Sequence, residues 1–128
     1  MSYYFAKTID ASFEDAIVKT TDALKKYGFG VLTEIRIHEK LKEKIGVDFQ
    51  KYTILGACNP PFAHKALLAE NKIGTMLPCN VIVQEIAPGK IEVAAVNPIE
   101  SMKAITNPEL GEVAFQVTEM LKKVIEEL

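Results

Sequence analysis

The chain reads as one α+β domain spanning residues 1–128, with a single mixed β-sheet of about five strands and helices packed mainly on one face. Three observations predict it. A strand, a helix and a second strand follow one another within the first 36 residues. Leu77 to Val96 alternates apolar and polar residues on both sides of an Ala87-Pro88-Gly89-Lys90 turn, the pattern of a hairpin. The last twenty or so residues then carry one continuous apolar stripe at helical spacing. The predicted order is β-α-β-(α)-β-α-β-β-α, which buries one face of the sheet under helices.

Residues 3 to 9 are aromatic and β-branched enough for a strand. Ser12, three residues before Asp15, has the spacing of a loose capping box, and Phe13, Ala16, Ile17, Thr20, Leu24 and Tyr27 line one stripe of the helix that follows. Gly28 closes it. From Gly30 to His38 the alternation sends Val31, Thr33, Ile35 and Ile37 one way and Glu34, Arg36 and His38 the other. With the strand before it, this predicts a right-handed crossover. A short helix over 39–45 follows, with Leu41 and Ile45 as its apolar pair and Gly46 as its stop. Tyr52 to Cys58 is the third strand and Pro60 to Glu70 the next helix.

In the hairpin, Pro88 and Gly89 fit the two central positions of a type II turn, whose second position needs positive φ. Its predicted inward set is Leu77, Cys79, Val81 and Val83 with Ile91, Val93 and Ala95. The terminal helix, about 108–127, points Leu110, Val113, Ala114, Val117, Met120, Leu121, Val124, Ile125 and Leu128 inward and leaves Phe115 off the stripe. Phe115 is then either an exposed aromatic or an interface anchor. Three Asn-Pro pairs, at 59–60, 97–98 and 107–108, each place an N-cap residue before a proline whose missing N–H costs nothing in the first turn.

Composition excludes several classes. Lys plus Arg number 15 and Asp plus Glu 17, giving a net charge of -2 with the signs interspersed, so there is no basic footprint for nucleic acid and no polybasic membrane signal. No apolar run approaches the ~20 residues of a membrane span. The opening Met-Ser-Tyr-Tyr-Phe-Ala-Lys lacks the layout of a secretory signal. Two cysteines without a framework suit a reducing compartment, so the expected location is cytoplasmic.

Tyr-Gly-Phe-Gly-Val-Leu-Thr-Glu at 27–34, Leu-Gly-Ala-Cys-Asn-Pro-Pro at 55–61 and Leu-Pro-Cys-Asn at 77–80 resemble the "domain of unknown function 302" family, over essentially the whole chain. The resemblance implies a compact α+β fold, small bacterial or archaeal cytoplasmic proteins, and a dimer. It carries no activity, cofactor or catalytic residue across.

The candidate chemistry therefore rests on the residues themselves. Cys58 stands at a strand-to-helix junction, where a helix dipole favours thiolate and His64 lies within reach as a helper. Pro60 and Pro61 remove two of the N–H donors that such a site would use, and cysteine is among the most buried residue types, so Cys58 is either a nucleophile or a packed thiol. The same loss of donors, with no P-loop spacing, argues against phosphate binding. An ordinary crossover between the third and fourth strands would make them parallel and set Cys58 and Cys79 roughly 15 Å apart at ~3.3 Å per residue. Only an antiparallel return after Glu70 would bring the two thiols together.

With two histidines and no C-x-x-C, structural zinc is not expected, although His38 or His64 could hold an adventitious surface ion. Asn59 is an N-cap or a ligand contact; Asn80 bonds a neighbouring loop or a ligand. Glu34, Arg36 and His38 form a solvated row or line a groove under a second subunit. Met76 and Met102 read as core filler. The leading expectation is a non-enzymatic small-molecule-binding or regulatory module, acting as a homodimer, with Cys58, Asn59 and Asn80 as its ligand contacts. The alternatives are a thiol enzyme using Cys58 with His64, and a structural interaction domain docking through its sheet face or Phe115. No complete catalytic set, metal site or identifiable cofactor is present in the sequence.

Overall fold

The computed structural model describes residues 2–128. Its elements are β1 (Tyr4–Asp10), α1 (Phe13–Lys26), β2 (Gly30–Arg36), α2 (Ile37–Ile45), β3 (Tyr52–Cys58), α3 (Pro60–Ala69), a 3-10 turn (Asn71–Met76), β4 (Cys79–Ala87), β5 (Lys90–Val96), a one-turn α4 (Pro98–Ser101) and α5 (Pro108–Glu126). The strands form one sheet in the order β1-β5-β4-β3-β2.

Every neighbouring pair is antiparallel, so the sheet is antiparallel throughout rather than mixed. β1 and β2 do run in the same direction, but they occupy opposite edges with three strands between them. The first helix therefore links the two edges of the sheet instead of closing a crossover between neighbours.

Helix formation follows local chemistry. Ser12 caps α1 by accepting from the Asp15 N–H at 3.1 Å, and Glu14 and Asp15 sit at the positive end of the helix dipole. Ala16, Ile17, Thr20 and Leu24 then face the sheet. From α5, Val117, Leu121, Val124 and Ile125 meet the same face, against Leu55, Val81, Val83, Ile91 and Val93. Burying each such aliphatic contributes roughly 1.5–3 kcal/mol. In the hairpin, Cys79, Val81, Val83, Ile91, Val93 and Ala95 are all buried, as the alternation predicts, and Gly89 has φ 74°. A one-residue slip would turn this whole set outward, which pins the β4–β5 register.

β2 departs from the pattern. Val31 pairs with Ala57, but Thr33 pairs with Gly56, so Leu32 is the extra residue of a β-bulge. Opposed residues share a face. The bulge therefore turns Thr33 and Ile35 to the helix-free side with Gly56 and Ile54, while Glu34 and Arg36 take the helix side opposite Leu55 and Thr53. The expected inward set Val31, Thr33, Ile35 and Ile37 is corrected accordingly: only Val31 keeps the helix side within the strand, and Ile35 is 42% exposed. Ile37 and His38 already belong to α2. Gly56 sits beneath this bulge, and a Cβ there would stand 2.3 Å from Thr33 Oγ1 and 2.8 Å from Pro78 Cγ. Only glycine allows that approach.

A second, smaller apolar cluster joins Ala66, Ile73 and Leu110, with Leu77, Met102, Ile105 and Val113 packed around it. It lies between α3, the 3-10 turn and α5. The seam between the two clusters falls at the C-terminal end of β3 and the N-terminal end of β4.

Candidate functional site

The seam opens into a cavity of about 350 Å³, bounded by the ends of β3 and β4, by α3, the 3-10 turn and α5. Cys58, Asn59 and Cys79 line it, with Phe29, Phe62 and Val117 among its apolar walls. No charged side chain contributes to the lining.

Cys58 and Cys79 are brought together, contrary to the spacing a parallel crossover would impose. β3 and β4 are antiparallel, and Cys79 is opposed to Ala57, the residue next to Cys58. Both thiols are free, Cys58 half-buried and Cys79 buried. Burial pushes the Cys79 thiol up from 9.0 to about 11, with the neighbouring Cys58 adding to the shift, so Cys79 is a neutral thiol near pH 7.

Asn59 occupies the N-cap of α3, as its sequence position predicts, but its side chain makes no capping hydrogen bond. It donates Nδ2–H to the Tyr27 carbonyl at 3.2 Å, and Met120 Sδ lies 3.9 Å from the same nitrogen. Tyr27 is the C-cap of α1, so the amide satisfies a carbonyl that the end of the helix leaves free. Gly28, at φ 83°, passes so close that a Cβ there would stand 3.1 Å from Asn59 Nδ2.

The remaining candidates lie elsewhere. His64 is exposed on α3 and does not line the cavity, and its ring makes no hydrogen bond to Cys58. Asn80 is exposed on the helix-free face, opposite Gly56, and is likewise absent from the lining. Of the three expected ligand contacts, the structure gathers Cys58 and Asn59, and Cys79 stands where Asn80 was expected. The signal that could have found Cys79 was the return after Glu70, read as antiparallel.

Glu34 and Arg36 share one face of β2, but His38 belongs to α2, so the three do not form one row. Arg36 donates to Glu14 Oε1 at 2.8 Å and also to Glu39. That bond from Arg36 lowers the Glu14 carboxyl below its ordinary range, and the bond to Glu14 in turn raises Arg36. His38 Nδ1 accepts from the Tyr52 N–H at 3.0 Å, and its ring meets Phe13 edge-on with centroids 5.7 Å apart. Phe115 is 56% exposed on α5. Among the described residues, no three His, Cys, Asp or Glu side chains are grouped so as to hold a metal ion, and no helix is long and apolar enough to cross a membrane.

The cavity and its frame can be set beside known proteins. No curated protein matches the chain. Among solved structures, the crystal structure of an uncharacterized conserved protein DUF302 from Bacillus stearothermophilus superposes with a TM-score of 0.90 at 28% identity, covering 98% of each chain. A family model described as "Domain of unknown function DUF302" matches residues 5–128. With that match running from β1 to the end of α5, and the same fold in a relative of equal extent, the chain belongs to the DUF302 family.

Proposed function

We propose that the protein is a non-enzymatic module that binds a small apolar molecule in the cavity at the β3–α3 junction. The observation that carries this reading is the cavity itself: about 350 Å³, walled by hydrocarbon and thiol side chains, with the Asn59 amide as its one strongly polar side chain. Such volume and lining suit a ligand held by burial and oriented by few polar contacts. The reading is favoured over a thiol enzyme because nucleophilic catalysis needs a base beside the thiol. The side chains around Cys58 and Cys79 include no carboxylate or imidazole, and His64 lies outside.

Thermal unfolding in the presence of neutral aromatic hydrocarbons tests it. A ligand at a hundred times its Kd stabilises the fold by ~2.7 kcal/mol, and Ala63→Leu, which fills the cavity wall, should abolish that gain. A melting temperature indifferent to every compound would reject the proposal.

The module is proposed to act as a homodimer through the helix-free face of the sheet. There Ile35, Ile54, Ile82 and Ala94 lie side by side on four adjacent strands, with Tyr4 and Tyr52 flanking them. Glu92, beside them, is held by Gln84 at 2.9 Å. A second copy of the same face would match this apolar centre without opposing clusters of like charge. A monomeric mass in solution at micromolar concentration would refute the dimer, and Ile82→Glu should dissociate it while leaving the monomer folded. The two free thiols support a cytoplasmic setting.

A further inference from the structure

The chemistry of the Asn59 amide says what kind of molecule the cavity accepts, granted the binding reading above. α3 begins with Pro60 and Pro61. Proline has no N–H, so the N2 donor that a capping side chain commonly engages is missing. The amide nitrogen is committed elsewhere, because a carbonyl oxygen such as that of Tyr27 can only accept, and so the NH₂ end must face it. That fixes the orientation of the group. Asn59 Oδ1 is left without a donor from the described residues, on a side chain that lines the cavity.

The other walls narrow the choice further. They hold no cationic group to neutralise a carboxylate or phosphate and no anionic group for an amine, and a charge buried without a partner is strongly disfavoured. A ligand whose polar group only accepts, such as a ketone or ester, would meet few donors. Pro78 and Pro98 line the cavity and contribute no N–H, and thiols donate weakly. The unfilled requirement is a donor to Asn59.

We infer that the cavity takes a small, neutral, mainly hydrocarbon molecule carrying one hydrogen-bond donor, a hydroxyl or ring N–H, directed at Asn59 Oδ1. Its size lies toward the lower end of ligand cavities, about 300–1,000 Å³. A phenol, an indole or a medium-chain alcohol has the required character.

Indole and indene provide the test, being matched in shape and differing in the N–H. Titrated into the wild-type protein by calorimetry, indole should bind about tenfold more tightly than indene, the effect of one hydrogen bond. In Asn59→Ala the two should bind equally. Equal affinities in the wild type would overturn the donor assignment while leaving the cavity reading intact, as would a preference that survives Asn59→Ala. Failure of both compounds to bind would overturn the cavity reading and this inference with it. Should Asn59→Ala not fold, Pro61→Ala decides: with an N2 donor restored to Asn59 Oδ1 the preference for indole over indene should fall, and an unchanged preference would refute the contact.

Discussion

Two asparagines in this chain begin in the same way and end in different roles. Asn59 and Asn107 each precede a proline at the start of a helix. Each donates its Nδ2 to the carbonyl at the end of an earlier helix, Asn59 to Tyr27 at 3.2 Å and Asn107 to Ala69 at 2.9 Å. They part at the oxygen. Asn107 Oδ1 accepts from the Glu109 N–H at 3.1 Å and caps its own helix. Asn59 Oδ1 has no such donor because the matching position is Pro61. One extra proline thus separates an asparagine wholly spent on structure from one with an acceptor left over beside a cavity. A cap motif therefore has to be read together with the donors that follow it.

The largest expected effect lies in the cavity wall next to Asn59. Burial pushes the Cys79 thiol up from 9.0 to about 11, which corresponds to about 3 kcal/mol. The folded state keeps the proton to higher pH than the unfolded chain, so the contribution is present in full below pH 9 and is lost as pH rises to 11. Urea denaturation across that window should show the wild type losing about that much more stability than Cys79→Ala. Parallel pH profiles would mean that Cys79 is hydrated and the cavity wet.

Next comes Asn107→Ala, which removes both a cap and the bridge to Ala69. A loss of about 2 kcal/mol in urea denaturation is expected. Asn59→Ala removes only the bond to Tyr27, and about 1 kcal/mol is expected. Equal costs at the two sites would show that Asn59 Oδ1 is satisfied after all. The smallest effect on stability should come from Pro61→Ala. It restores the N2 donor, so Asn59 can cap α3 for about 1 kcal/mol, offset by about 0.4–1 kcal/mol from the greater freedom of the unfolded chain. Its stability should hardly move, whereas the preference for indole over indene should fall, because Oδ1 then has a partner.

Legibility varied along the chain for physical reasons. The hairpin and the α5 stripe were readable because each has a strict periodicity with a buried face, and both are found as expected. β2 departs from its alternation because a bulge inserts Leu32, which is 66% exposed, and a residue inserted at an edge strand leaves no mark in the alternation on either side. The proximity of Cys58 and Cys79 is not legible in the sequence for another reason. The linker from Glu70 to Leu77 suits a parallel or an antiparallel return equally well, and only the packing of α3 and the 3-10 turn against α5 decides it. The Cys58–Asn59 junction is legible in its residue types, whereas Asn80, adjacent to Cys79 in sequence, points to the opposite face of the sheet.

By itself the sequence determined the element types, the buried faces of the hairpin and of α1 and α5, and the helix starts at its three Asn-Pro pairs. Those properties arise from side chains within a few residues of one another, where periodicity and missing N–H groups act directly. Tertiary structure decided the strand order, the face reversal in β2, the nearness of the two thiols and the cavity that both of them line. Each depends on contacts between segments far apart in the chain, such as Asn59 with Tyr27 and Cys79 with Ala57. The junction at Tyr52 to His64 shows the division plainly: local chemistry frees the Asn59 oxygen, and the fold places a cavity beside it.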